Sequence, residues 1–208
     1  MNREFGVYLV TDSGRSGDRS TVEVVEAAIR GGCDIVQLRE KGTPARERYE
    51  TGLELRTLTR EAEVPLVVND RIDLAAAIDA DGVHLGDDDL PLSVAEDRLG
   101  SDALLGRSVS TPEAAKAAER DGADYLGVGA VYPTDTKATA PEQSNIGLER
   151  VRSIREATAL PLVGIGGITP ENAAGVVEAG ADGVAVVSAI TAADEPEAAT
   201  RRLAEAIR

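Results

Sequence analysis

The chain has 208 residues, with 22 Lys and Arg against 37 Asp and Glu and a formal net charge of −15. That length suits one domain, since single α/β barrels begin at about 200 residues. The charge opposes phosphate-backbone and anionic-membrane partners. One Phe, four Tyr and no Trp leave no stacking platform for single-stranded nucleic acid.

A hydrophobic share of 42% supplies a full core. Only Lys41, Lys116 and Lys137 are lysine; every other cation is arginine. An acidic surface with arginine in place of lysine is the balance expected in concentrated salt, which screens self-repulsion. The single cysteine, Cys33, excludes an intrachain disulfide, reads as a small buried residue and suits a reducing compartment. After Met1-Asn2-Arg3-Glu4, the apolar stretch 5–10 is too short for a signal peptide and meets Asp12 at once. No run approaches the roughly 20 apolar residues of a membrane span. A cytoplasmic protein is expected, with neither nucleic acid nor membrane as partner; a homo-oligomer stays open.

Along the chain, short and nearly continuous apolar runs occupy 5–11, 35–39, 65–69, 82–85, 104–109, 125–131, 161–166 and 183–188. Continuous rather than alternating runs predict strands buried on both faces. Between them the spacing predicts helices over 20–30, 46–63, 71–80, 92–99, 112–120, 148–157, 170–179 and 195–207. Ser20-Thr21-Val22-Glu23 has capping-box form, and Thr111-Pro112 and Thr169-Pro170 pair a cap with a first-turn proline. Gly-Gly-Cys-Asp, Asp-Gly-Ala-Asp and Ala-Gly-Ala-Asp, at 31–34, 121–124 and 179–182, form a weak repeat in which glycine ends each helix in the left-handed conformation.

Eight strands alternating with eight helices predict a single (β/α)8 TIM barrel over 1–208. An open doubly wound sheet would carry a Gly-x-Gly-x-x-Gly loop after its first strand, but Val10-Thr11-Asp12-Ser13 stands there. The longest irregular stretches, 12–19 and 133–147, follow strands, which makes them candidate lids on the catalytic face.

In such a barrel the carboxyl ends of the strands share one mouth. They supply Thr11 and Asp12; Gln37, Arg39 and Lys41; Asn69 and Asp70; His84 and Asp87-Asp88-Asp89; Ser108 and Ser110; and 134–137. Ile165-Gly166-Gly167-Ile168 and Val187-Ser188-Ala189-Ile190 fit the backbone phosphate site of these barrels, where N–H groups and a short helix start hold the anion. Asp70 and Asp89 follow neighbouring strands, so they suit an acid–base pair or Mg²⁺. With Arg39, Lys41 and Lys137 nearby, a magnesium-bridged diphosphate is the better fit. His84, the only histidine, is either a base or a hydrogen-bonded core residue. No His or Cys cluster suggests zinc. Both lysines lie beyond their strands among polar neighbours, which argues against a Schiff base.

These residues resemble the thiamine-phosphate synthase family. The resemblance is carried by Tyr8-Leu9-Val10-Thr11-Asp12, Val36-Gln37-Leu38-Arg39-Glu40-Lys41, Val68-Asn69-Asp70-Arg71, Asp81-Gly82-Val83-His84-Leu85-Gly86 on to Asp89-Leu90-Pro91, and Gly106-Arg107-Ser108. It continues through Thr134-Asp135-Thr136-Lys137, Gly164-Ile165-Gly166-Gly167-Ile168 and Val186-Val187-Ser188-Ala189-Ile190, spanning essentially the whole chain. The resemblance implies a transferase of thiamine biosynthesis that joins a hydroxymethylpyrimidine diphosphate to a thiazole phosphate, with Mg²⁺ as cofactor. By similarity, Gln37, Leu38, Arg39, Glu40, Lys41, Asn69, Ser108 and Lys137 contact the pyrimidine diphosphate, with Arg39, Lys41, Lys137 and Ser108 serving catalysis. Asp70 and Asp89 bind the metal. Thr134, Asp135, Thr136, Gly167, Val187 and Ser188 hold the thiazole phosphate. Asp87-Asp88 stands where a glutamine and a glutamate are expected, Ala130 where a proline is, and Arg107 is an unusual strand residue. The tautomerase relatives of this fold would need a proton-transfer residue and leave the carboxylates idle, and a non-catalytic barrel would not need Asp70 with Asp89.

Overall fold

A computed structural model of the chain describes residues 5–134 and 145–208. Eight parallel strands close into a barrel in sequence order: β1 (Val7–Val10), β2 (Ile35–Leu38), β3 (Leu66–Asn69), β4 (Gly82–Leu85), β5 (Leu104–Val109), β6 (Tyr125–Gly129), β7 (Leu162–Ile165) and β8 (Gly183–Val186). Around them run α1 (Thr21–Arg30), α2 (Ala45–Glu61), α3 (Ile72–Ala77), α4 (Leu92–Leu99), α5 (Pro112–Arg120), α6 (Gly147–Ala157), α7 (Ala173–Glu178), α8 (Ser188–Thr191) and α9 (Pro196–Ala206). The expected barrel is present.

Strand alternation sorts the apolar residues into two cores. Leu9, Val36, Leu38, Val68, Val83, Leu105, Leu126 and Val184 face outward, packing beneath the helices. Phe5, Tyr8, Ile35, Val67, Leu104, Tyr125, Val163 and Ala185 fill the interior. Each fully buried Leu, Ile or Val contributes about 1.5–3 kcal/mol, most of it offset by chain entropy.

A repeated latch closes the bottom of the barrel. Asp34 Oδ2 accepts from Val7 N (2.7 Å), Asp81 Oδ2 from Leu66 N (2.7 Å), Asp124 Oδ2 from Leu105 N (2.7 Å), and Asp182 Oδ2 from Leu162 N (2.8 Å). In each case the aspartate before an even-numbered strand takes an N–H from the odd-numbered strand before it. The Gly-x-Asp repeat in the sequence is the visible part of this device. Its glycines, Gly32, Gly122 and Gly180, have φ of 92°, 91° and 105°, as a left-handed helix end requires.

Most differences from the expected boundaries are a few residues at strand and helix ends. Ser20 and Glu23 form the expected capping box, and Thr111 caps α5. Thr169-Pro170 does not cap α7. Asn172 Oδ1 accepts from Thr169 N (2.9 Å) and Asn172 Nδ2 donates to Gly167 O (3.0 Å), so 169–172 is a closed turn and the helix starts at Ala173. Residues 187–188 leave the sheet and open the short α8, which is additional to the expected helices. Within 12–19, a single 3-10 turn (Ser13–Arg15) is capped by Asp12.

Candidate active site

Strand polarity brings the ends of β2, β3 and β4 together with opposed charges in reach. Register pairs Gln37 with Val67 and Asn69 with His84. Beyond β3 the chain turns at Asp70, whose φ of 62° is tolerated by Asp and Asn better than by most residues. Asp70 N donates to His84 O (2.9 Å), fixing the turn. Its carboxylate meets Lys41 from the end of β2, with Nζ 2.8 Å from Oδ2. Arg39, two residues earlier, pairs with Asp12 beyond β1 at 3.2 Å, and its backbone N donates to Thr11 Oγ1 (3.1 Å).

Asp89 lies in the loop after β4, where its Oδ2 accepts from Gly86 N (2.7 Å). Burial pushes its carboxyl above the usual carboxylate range, and the Asp70 carboxyl beside it adds to the push, against the Gly86 N–H. Two such adjacent carboxyls could hold a cation. Among the described residues no group of three or more His, Cys, Asp or Glu side chains converges. A cation here would therefore take its remaining ligands from phosphate oxygens or water, the usual habit of Mg²⁺.

Across the mouth, Ser108 projects inward from β5, its Oγ 2.9 Å from His84 Nε2. Directly after β7, Gly166 and Gly167 have φ of 103° and 62°. A Cβ on Gly167 would sit 2.5 Å from Pro133 O, so only glycine lets the loop after β6 pass so close. Val187 packs into the interior core, and Ser188, exposed, begins α8. The first N–H groups of a helix have no intrahelical acceptor.

The run 37–41 divides. Gln37, Arg39 and Lys41 face the mouth. Leu38 is fully buried under α2. Glu40 is 3% exposed, accepting from Thr21 Oγ1 and Ser13 N, both at 2.9 Å. Their side chains hold the frame, and only their backbone remains for a ligand. Asn69, half-buried, ends β3, and Thr134, also half-buried, lies in the loop after β6. Asp135, Thr136 and Lys137 lie outside the described residues.

Sequence reasoning did not single out two interior phenols, Tyr8 and Tyr125, which join Gln37 to His84 by hydrogen bonds. The available signal was glycine: Gly106 and Gly127 face inward beside the imidazole, where a Cβ would lie 2.4 Å from His84 Nδ1 or 2.8 Å from Cε1. His84 is thus a hydrogen-bonded interior residue. Arg107 alternates to the helix side of β5, with Nη1 donating to Gly86 O (2.9 Å). It clamps the loop that presents Asp89.

A family model described as thiamine monophosphate synthase matches residues 7–190. The chain belongs to the thiamine-phosphate synthase family. It is 75% identical over 207 residues to the thiamine-phosphate synthase of Natronomonas pharaonis, covering 100% of this chain and 97% of that protein. It is 63% identical to the synthase of Haloquadratum walsbyi, covering 98% and 91%. Among solved structures, thiamine phosphate pyrophosphorylase from Pyrococcus furiosus superposes with a TM-score of 0.89 at 42% identity, covering 99% and 96%. Coverage of both chains is nearly complete, so the whole barrel is held in common with synthase family members.

Proposed function

We propose that this chain is a thiamine-phosphate synthase in activity as well as in family. It transfers the pyrimidinylmethyl group of 4-amino-2-methyl-5-hydroxymethylpyrimidine diphosphate to the ring nitrogen of thiazole phosphate. The methylene–oxygen bond breaks with its electron pair leaving on pyrophosphate, and the nitrogen lone pair forms the new carbon–nitrogen bond. If the thiazole enters as its carboxylated tautomer, CO₂ departs as well. No protein nucleophile is needed, because the aminopyrimidine stabilises the positive charge left on the methylene.

The observation that supports this most directly is the junction of Lys41, Asp70 and Asp89 at the ends of β2, β3 and β4. Asp70 and Asp89 would hold Mg²⁺. Bound there, the ion would neutralise charge developing on the leaving diphosphate. Arg39 and Lys41 supply cations for the same oxygens, and each now rests on a carboxylate that the diphosphate can replace. Gln37, Asn69 and Ser108 orient the pyrimidine. Gly167, Val187 and Ser188 offer backbone N–H groups to the thiazole phosphate, bringing its nitrogen to the methylene as one bound partner. By resemblance, Thr134, Asp135 and Thr136 join them on the thiazole phosphate, and Lys137 is assigned to the pyrimidine diphosphate.

The acidic surface suggests that activity be assayed in molar salt. No helix among the described residues is long and apolar enough to cross a membrane, in keeping with a cytoplasmic enzyme. The test is pyrophosphate release from the purified protein with both substrates and Mg²⁺. Release that requires all three supports the assignment, and no release across a range of salt concentrations overturns it.

A further inference from the structure

A chain of side-chain hydrogen bonds crosses the inside of the barrel. Gln37 Nε2 donates to the Tyr8 hydroxyl (2.8 Å), and the Tyr8 and Tyr125 hydroxyls lie 2.8 Å apart. The Tyr125 hydroxyl is 3.0 Å from His84 Nδ1, and His84 Nε2 is 2.9 Å from Ser108 Oγ. The chain passes from β2 through β1, β6 and β4 to β5. Gln37, Tyr8 and Tyr125 are at most 5% exposed, so their polar atoms depend on one another for partners. Room for the rings comes from missing side chains: a Cβ on Gly106 would lie 2.3 Å from Tyr125 Cζ.

The proton count gives this chain a direction. Each hydroxyl has one proton to donate. With a Gln37 N–H directed at the Tyr8 oxygen, the Tyr8 proton goes to the Tyr125 oxygen. The Tyr125 proton then goes to His84 Nδ1, which must accept it. A neutral imidazole accepting at Nδ1 carries its own proton on Nε2, and donates it to Ser108 Oγ. The Ser108 proton is left for whatever occupies the mouth. Run in reverse, the same five groups would give Ser108 only as an acceptor.

We propose that Gln37, Tyr8, Tyr125 and His84 form a directed relay that holds His84 as its Nε2–H tautomer and presents the Ser108 hydroxyl to the pyrimidine as a donor. Tyr8, Tyr125 and His84 are then positioning residues for pyrimidine recognition. With its proton free, Ser108 can donate to a ring nitrogen, a contact the reversed relay would deny it because that proton would be spent on His84. Burial pushes both phenols well above their ordinary values, which keeps both hydroxyls protonated and able to donate. The inference rests on the reading that Gln37 and Ser108 touch the pyrimidine.

His84 is the only histidine, so ¹⁵N-histidine labelling of the full chain reports one imidazole. The expected spectrum at neutral pH has Nε2 protonated and Nδ1 bare. Tyr125→Phe removes the donor to Nδ1; it should shift the tautomer balance and raise KM for the pyrimidine diphosphate about tenfold, the scale of one lost hydrogen bond. KM for the thiazole phosphate should stay put. Tyr8→Phe, one link farther away, should act in the same direction and more weakly. A wild-type imidazole protonated on Nδ1, or on both nitrogens, overturns the relay without any variant having to fold. So does a Tyr125→Phe variant with an unchanged tautomer and unchanged KM. The underlying site reading fails separately: Ser108→Ala with wild-type KM for the pyrimidine diphosphate removes Ser108 from that pocket whatever the tautomer.

Discussion

Lys41 Nζ stands 2.8 Å from Asp70 Oδ2, so a cation assigned to the diphosphate and a carboxylate assigned to the metal hold one another. The lysine side chain is 48% exposed, and a pair so open to water is worth at most about 1 kcal/mol. It neutralises both groups at little cost to exchange. A magnesium diphosphate offers each partner a better-matched ion, and the pair opens by substitution rather than by uncovering a bare charge.

Asp70→Asn tests that reading cleanly, because asparagine accepts the φ of 62° that alanine would strain. Turnover should fall about two orders of magnitude or more, the scale for losing a charge-stabilising group. The substitution also lifts the like charge beside Asp89, so thermal stability should not fall. Kinetics and a melting curve on one preparation check both; near-wild-type turnover would remove Asp70 from the metal site.

Arg107 acts one step behind. Its guanidinium holds Gly86 O, and Gly86 N holds Asp89. Arg107→Met keeps the apolar stem and frees the loop. The Mg²⁺ concentration for half-maximal rate should rise about tenfold, as when a supporting partner of a ligand is lost. KM for the thiazole phosphate should not change. A magnesium titration indistinguishable from wild type would show that Asp89 needs no such clamp.

The frame of the barrel was legible because its signals are local. Runs of apolar residues, Gly-x-Asp helix ends and the Ser20 cap each reside in a few consecutive residues. The candidate site was legible only where strand ends announce themselves, as at Asn69-Asp70 and Gly166-Gly167. What sequence could not separate was direction within a run: Leu38 and Glu40 sit between Gln37 and Lys41 yet turn to α2 and to the loop after β1. Tyr8 and Tyr125 read as core because phenols are mostly apolar. Their hydroxyls find each other across 117 positions, a pairing only barrel closure creates.

The bottom latch predicts a stability effect without a catalytic one. Asp124→Ala leaves Leu105 N, in a residue 5% exposed, without its acceptor. The expected loss is about 1–3 kcal/mol, the cost of an unsatisfied buried donor. Chemical denaturation should show it, with kcat and both KM values unchanged because the latch lies at the opposite end from the mouth. An undiminished denaturation midpoint would mean water replaces the carboxylate freely.

Alkaline pH should unfold the protein from within. Burial pushes the Cys33 thiol up to about 12, and raises Tyr8 and Tyr125 above ordinary phenols. A folded value above the unfolded one means that the folded state keeps its proton longer. Stability from these groups is complete below the unfolded value and declines as pH rises through it. The decline begins near pH 9 for Cys33 and near 10 for the phenols, and each group contributes up to about 1.4 kcal/mol per pH unit. Denaturation midpoints from pH 8 to 11 should therefore fall ever more steeply, and Cys33→Ala should delay the onset. A flat profile over that range would contradict the buried, neutral state of all three.

Net charge makes the last prediction. With a net charge of −15 on 208 residues, like charges repel across the whole surface in the folded state and relax when the chain expands. At 0.1 M salt the screening length is about 10 Å, and at 1 M about 3 Å. Repulsion between neighbouring helices is thus nearly abolished only toward molar salt. Surface ion pairs such as Arg46–Glu50 and Arg60–Asp79 weaken under the same screening, which opposes the gain, but each is worth under about 1 kcal/mol. The repulsive excess should win, and the melting temperature should climb steadily with NaCl from 0.1 to 3 M. Sulfate would also act through preferential exclusion, so NaCl is the cleaner probe. A melting temperature that is unchanged or falls over that range would show that the acidic surface is not held against its own field by salt.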